Sequence, residues 1–123
     1  MIVEVDTDSA VPPYEQIRQQ LATMIGAGVL DAGTHLPPIR QLAADLGLAT
    51  NTVARAYREL ESEGLVVSRV RHGTTVAEGA PGLPRAEVRR RLAEAAHTYA
   101  ATARQLGVDA NEAVAAVRRE LEP

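Results

Sequence analysis

Residues 36 to 73 constrain this chain more than any other stretch. They hold two short apolar-faced segments separated by Gly47 and followed, after Gly64, by a β-branched run that turns at His72-Gly73. Ile39, Leu42, Ala43 and Leu46 recur at spacings of three and four, so the first segment reads as a helix with one apolar face. Gly47 ends it, because glycine supplies the left-handed conformation that a helix C-terminus favours. Thr50 or Asn51 is expected to cap the next helix, in which Val53, Ala56, Tyr57 and Leu60 line the buried side until Gly64 stops it. Val66 to Val70 and the return Thr74 to Ala77 straddle a glycine and are rich in β-branched residues, the pattern of a two-stranded hairpin. Two short helices and a hairpin in this order predict a helix-turn-helix with a wing, a shape that suits a DNA major groove.

The flanks complete the architecture. Residues 1 to 10 are expected to form an extended lead-in, with Ile2, Val3 and Val5 as candidates for a short strand. Pro12 and Pro13 suit the first turn of a helix, whose N–H groups lack intrahelical partners anyway. Tyr14, Ile17, Leu21, Met24 and Ile25 then form one stripe, a scaffold helix ending before Gly28. Glu78 to Pro84 carries too many glycines and prolines for a helix or a ladder and predicts a linker. Beyond it Val88, Leu92, Ala95, Tyr99, Thr102 and Leu106 mark an amphipathic helix over 85–106, closed by Gly107. Asp109 caps a last helix with Glu112 as its capping-box partner and Val114, Val117 and Leu121 on the apolar side. The expected fold is mainly α with a small β wing: a winged helix-turn-helix over 1–77, a linker over 78–84 and a helical tail over 85–123. Tyr14, Tyr57 and Tyr99 all fall on apolar stripes, so packing is the role expected of each.

A longer pattern runs through the same residues: Gly33-x-x-Leu36-Pro37-x-x-Arg40-x-Leu42-Ala43, then Asn51-Thr52-Val53, Ala56-Tyr57-x-x-Leu60-x-x-x-Gly64-Leu65, and Gly73-Thr74-x-Val76. On these residues the chain resembles the GntR family of bacterial transcription regulators. Pro12-Pro13-Tyr14-x-Gln16-Ile17, the string Thr52 to Tyr57 and the short tail are similar to the YtrA-like subfamily in particular. The resemblance is dense over residues 12 to 77. Two positions depart from it: Arg71 stands where the family usually has the first glycine of its wing turn, and Thr75 replaces the usual aromatic or large residue. The resemblance implies a repressor that dimerises through its tail and reads a palindrome in double-stranded DNA, with half-sites about one helical turn apart. It also implies that Arg40 holds a phosphate or a guanine from the first helix of the motif.

Residue chemistry adds to this. Thr50, Asn51 and Thr52 have short polar side chains at a helix N-terminus, where free N–H groups favour anions, so they can bond base edges or a phosphate. Asn51 is the best candidate for reading adenine through its paired donor and acceptor. Arg55, one turn further, can follow the backbone or groove floor, or instead pair with Glu59; Arg58 is expected to pair with Glu61. The position before Arg55, where many family members carry a DNA-contacting arginine, is Ala54. Arg69, Arg71, His72 and Gly73 are expected to bring the wing to a minor groove or phosphate. In the tail, Val88, Leu92, Tyr99, Leu106, Val114, Val117 and Leu121 need a covering surface: a second copy of the chain in a homodimer, or the chain's own winged helix.

The net charge of −3 looks wrong for a partner of a polyanion. Its distribution answers this. Residues 1 to 34 hold five acids against Arg18 alone, whereas residues 35 to 79 balance, with five arginines, four of which sit near the expected groove and wing. All 13 basic residues are arginine, so bidentate contacts to phosphate or guanine are available. Absent cysteine removes disulfides and thiolate ligands, the three histidines are too far apart for a metal motif, and no catalytic constellation or phosphate loop is evident, so no enzyme, metal or cofactor is expected. At 123 residues there is no room for a second ligand-binding domain, and no effector is assigned. No run has the roughly 18 apolar residues of a membrane span, and the acidic N-terminus is unlike a secretory signal, so a cytoplasmic protein is expected. The acidic total and Ala54 leave one rival: a winged-helix protein-interaction module that does not bind DNA.

Overall fold

Pro13 sits at the first position of α1 (Pro13–Gly26), with Pro12 at the N-cap, in the computed structural model, which describes residues 3–123. The stripe on this helix buries Ile17, Leu21 and Ile25, while Tyr14 and Met24 pack at the edge of the core. Helix α2 (Ile39–Leu46) follows Pro38 and buries Leu42 and Ala43; Gly47 closes it at φ 68°, the left-handed geometry that its lack of a Cβ permits. Helix α3 (Thr50–Ser62) buries Val53, Ala56, Tyr57 and Leu60 and packs against both α1 and α2. Ile17, Leu21, Val53, Ala56 and Leu60 are all at 0% exposure, which makes the α1–α3 seam the centre of the core. Apolar periodicity on three separate helices thus converges on one interior.

The wing is a two-stranded antiparallel sheet, β1 (Val66–Arg69) and β2 (Gly73–Val76), with Val66 opposite Val76 and Arg69 opposite Gly73. Val70 and Ala77, the expected strand ends, lie one position beyond the observed ones. Residues 33–36 dock along the other edge of β2. The Gly33 N–H donates to the Val76 carbonyl at 2.9 Å, the Val76 N–H to the Thr34 carbonyl at 2.9 Å, and the Leu36 N–H to the Thr74 carbonyl at 2.8 Å. Main-chain groups therefore fasten the wing to the body, and the attachment does not call on the side chain of Thr75, which sits opposite His35.

One expectation needs correction in this part. Val3 and Val5 form no strand, and Ile2 lies outside the described residues. Val3 is buried and Val5 packs at the core, but their segment is held by side-chain amides: Gln20 Oε1 accepts from the Glu4 N–H at 3.0 Å, and Gln16 Oε1 accepts from the Asp6 N–H at 2.8 Å. The same amides donate back to the carbonyls of Glu4 and Asp6, so each glutamine supplies both halves of what a neighbouring strand would offer. The stretch 78–84 forms neither helix nor strand and is held to α1 near its end. The Leu83 N–H donates to the Gly26 carbonyl at 2.8 Å, and a Cβ built on Gly26 would lie 2.8 Å from Leu83 Cγ. A glycine at 26 makes room for that contact.

The chain divides into two compact units, the first reaching to Leu83 and the second Pro84–Pro123. The second unit is a helical hairpin of α4 (Arg85–Gln105) and α5 (Ala110–Leu121). Asp109 Oδ1 accepts from the Glu112 N–H at 2.8 Å, the cap expected from sequence. Tyr99, expected to pack, remains 39% exposed and closes the hairpin through its hydroxyl, which donates to the Ala113 carbonyl at 2.8 Å. Arg90 pairs with Glu87 and Glu94, and Arg91 with Glu87, along the solvated face of α4. Those bonds, Arg90 first, hold the Glu87 carboxyl down at about 2. No residue of either tail helix is buried.

Candidate nucleic-acid interface

The predicted contact residues fall into two groups. Thr50, Asn51 and Thr52 occupy the first three positions of α3, and Arg40 the second position of α2. Arg69 ends β1, Arg71 and His72 form the hairpin turn, and Gly73 begins β2. Neither Thr50 nor Asn51 is the cap that was expected. Ala49 takes that place, with φ −68° and ψ 146°, and offers no side-chain acceptor. The N–H groups of Thr50 and Asn51 are consequently left open at an exposed helix start, with their hydroxyl and amide side chains beside them. A helix end of this kind favours an anion and can also present Asn51 to a base edge.

Tyr57 sets the two helix starts relative to each other. It is buried at 3% exposure, and its hydroxyl donates to the Pro37 carbonyl at 2.7 Å, tying the segment that leads into α2 and Arg40 to the middle of α3. Burial also pushes the phenol's pKa well up, so it stays a neutral donor. The apolar stripe predicted the burial, but nothing local predicted the partner twenty residues away.

Electrostatics in the first unit separate cleanly. Arg18 bridges Glu15 and Glu63, the latter at 3.0 Å; the bond from Arg18 is the main reason the Glu15 carboxyl is held below its ordinary range. Glu61 does not pair with Arg58, as expected, because its carboxylate is turned to the wing and accepts from the Ser68 N–H at 2.7 Å. The acids late in α3 are therefore engaged within the fold. Arg40, Arg58, Arg69 and Arg71 are exposed and make no ion pair among the described residues. This distribution removes the main objection that the acidic total raised against a polyanionic partner.

Arg55 is the exception among the contact candidates. Its guanidinium lies over the Tyr14 ring, 3.7 Å from the centroid, and its Nε is 3.8 Å from Glu59. Tyr14, expected only to pack, thus carries a cation on its outer face. Arg71 is unusual in another way: it is the one described non-glycine residue with positive φ, at 71°. The wing turn keeps the left-handed geometry that suits the family's glycine, and a longer side chain bears it at a cost of about 1–2 kcal/mol.

In the tail, Val88 is half-buried, while Leu92, Tyr99, Leu106, Val114, Val117 and Leu121 are exposed. Tyr99, Val108, Val114, Val117 and Leu121 line an apolar groove of about 530 Å³ between α4 and α5. Among the described residues no helix is long and apolar enough to cross a membrane.

Residues 13–76 match the family model described as bacterial regulatory proteins, gntR family. The chain is 41% identical to the HTH-type transcriptional regulator Rv1152 of Mycobacterium tuberculosis strain H37Rv over 91% of its own length and 88% of the relative's. It is 38% identical to the HTH-type transcriptional repressor YtrA of Bacillus subtilis strain 168, over 64% of this chain and 61% of that one. Among solved structures, the AraR DNA-binding domain in complex with operator ORX1 is similar with a TM-score of 0.55 and 25% identity, covering 63% of this chain and 96% of that one.

Proposed function

The chain belongs to the gntR family of bacterial regulatory proteins and is a DNA-binding transcriptional regulator; we propose that it is a repressor that binds a palindromic operator as a homodimer. In this reading the first turn of α3 enters the major groove. Asn51 reads a base edge, Thr50 and Thr52 bond bases or the adjacent phosphate, and Arg40 holds a phosphate or guanine from α2. Arg55 follows the backbone, and the wing tip with Arg69, Arg71, His72 and Gly73 reaches an adjacent minor groove or phosphate. The observation that carries the reading is the uncapped, exposed start of α3. The similar AraR DNA-binding domain forms a complex with an operator, which supports DNA as the partner of this fold.

The second copy is the proposed cover for the tail. A groove of about 530 Å³ with apolar walls and Arg104 and Arg118 among its lining residues suits a self-complementary partner. Operator occupancy by a cytoplasmic dimer then blocks transcription. A salt titration of binding tests this. If each protomer neutralises about four phosphates, log affinity of the dimer falls with log salt at a slope of roughly −7. A flat salt response, or a bound particle that carries one copy per palindrome at saturation, removes the reading. The first outcome would instead favour a protein-interaction module.

A further inference from the structure

Stacking on Tyr14 leaves the hydrogen-bonding edge of Arg55 open. Arg55 Cζ lies over the Tyr14 ring at 3.7 Å from the centroid, too close for a guanidinium nitrogen to point straight at the ring, so the flat side faces it and the in-plane N–H donors are directed elsewhere. Glu59, at 3.8 Å from Nε, is close enough to attract the charge but beyond hydrogen-bond distance. The Arg55 side chain keeps 54% of its exposure. Arg55 also lies four residues beyond Asn51 on α3, which sets both on one face of that helix. A long arginine in this setting is held in one orientation before any anion arrives, so less rotamer freedom is lost when it binds.

We propose that Tyr14 is a positioning residue for DNA binding: its ring, presented by α1, holds the Arg55 guanidinium flat so that its donor edge meets a phosphate beside the groove that α3 occupies. This rests on the reading that the start of α3 lies in the groove. It gives the scaffold helix a part in recognition, because α1 touches the nucleic acid only through a residue on another helix.

The test uses the full chain and a duplex that the wild-type protein enriches from a randomised library. Tyr14→Leu and Arg55→Ala are each expected to weaken binding about two- to fivefold. Each lowers the magnitude of the salt slope by about 0.9 for every protomer bound. The double variant is expected to be no weaker than either single one, and Tyr14→Phe, which keeps the ring face, to bind as wild type. Arg55→Lys changes an exposed side chain that the core does not need; it keeps the charge, lacks the planar face, and is expected to bind about two- to fivefold more weakly. Wild-type affinity in Tyr14→Leu or Arg55→Lys, additive losses in the double variant, or tighter binding by Tyr14→Leu, which would mean that the ring withholds Arg55, each overturns the proposal while leaving the function intact. A wild-type protein that enriches no duplex overturns the function and the positioning role together.

Discussion

The winged-helix unit and the helical tail contrast in what holds them. Among the described residues, every buried core residue lies between Val3 and Val76, whereas α4 and α5 bury none. The tail helices are nonetheless well formed locally, with an aspartate cap, a closing hydrogen bond from Tyr99 and three Arg–Glu pairs spaced one turn apart. An N-cap is worth about 1 kcal/mol and solvated i,i+4 pairs less, against roughly 1.5–3 kcal/mol for each large apolar side chain buried. The first unit therefore has the means to fold on its own, whereas the second has no buried core. This difference is the physical basis for the proposal that the first unit contacts nucleic acid and the second associates with its own copy.

The largest effect should come from Leu60→Ala. A cavity at a fully buried site is expected to destabilise the first unit by about 2–5 kcal/mol in denaturant melts. Leu92→Ala, at 70% exposure, should leave melts of the dilute protein within about 0.5 kcal/mol of wild type while raising the dissociation constant of the proposed dimer in sedimentation runs. Equal losses from the two substitutions would erase the contrast. Next, Tyr57→Phe removes the donor to the Pro37 carbonyl and should lower stability by about 1–3 kcal/mol, with operator affinity falling in parallel if that bond aligns Arg40 with α3.

Smaller still, Arg71→Gly should relieve the left-handed turn and raise stability by up to about 1 kcal/mol, even as the lost cation weakens DNA binding. The smallest effect belongs to the tail. The Glu87 carboxyl, held down at about 2 by Arg90 and Arg91, contributes helix stability that is fully present above its ordinary range. That contribution is lost as pH falls through about 2, and an acid titration followed by circular dichroism should show the loss in wild type and not in Glu87→Gln.

How much of this could be read in advance depends on the range of the interaction concerned. The stripe Val53, Ala56, Tyr57 and Leu60 predicted the buried face of α3, and Asp109 with Glu112 predicted the cap of α5, because both depend on residues three or four positions apart. The cap of α3 lies one or two residues before the expected Thr50 or Asn51. Thr50 and Asn51 have capping side chains, but the extended Ala49 begins the helix, and this leaves those side chains available at the candidate site. Arg58 and Glu61 have the right spacing for a pair, yet a main-chain donor on the wing claims the carboxylate. The composition of 78–84 carries no sign of the bond that pins it at Leu83.

Sequence alone determined the helices, the hairpin, the arginine supply and the kinship with a DNA-binding family, since periodicity, turn residues and motif spacing are local properties of the chain. Tertiary structure decided which groups meet across the fold: Tyr57 with Pro37, Arg55 with Tyr14, the glutamines of α1 with the N-terminal segment, and residues 33–36 with the wing. Such pairs join positions that the packing of α1 against α3, and the return of the wing to the body, bring within reach. A pattern that repeats every three or four residues carries no record of them.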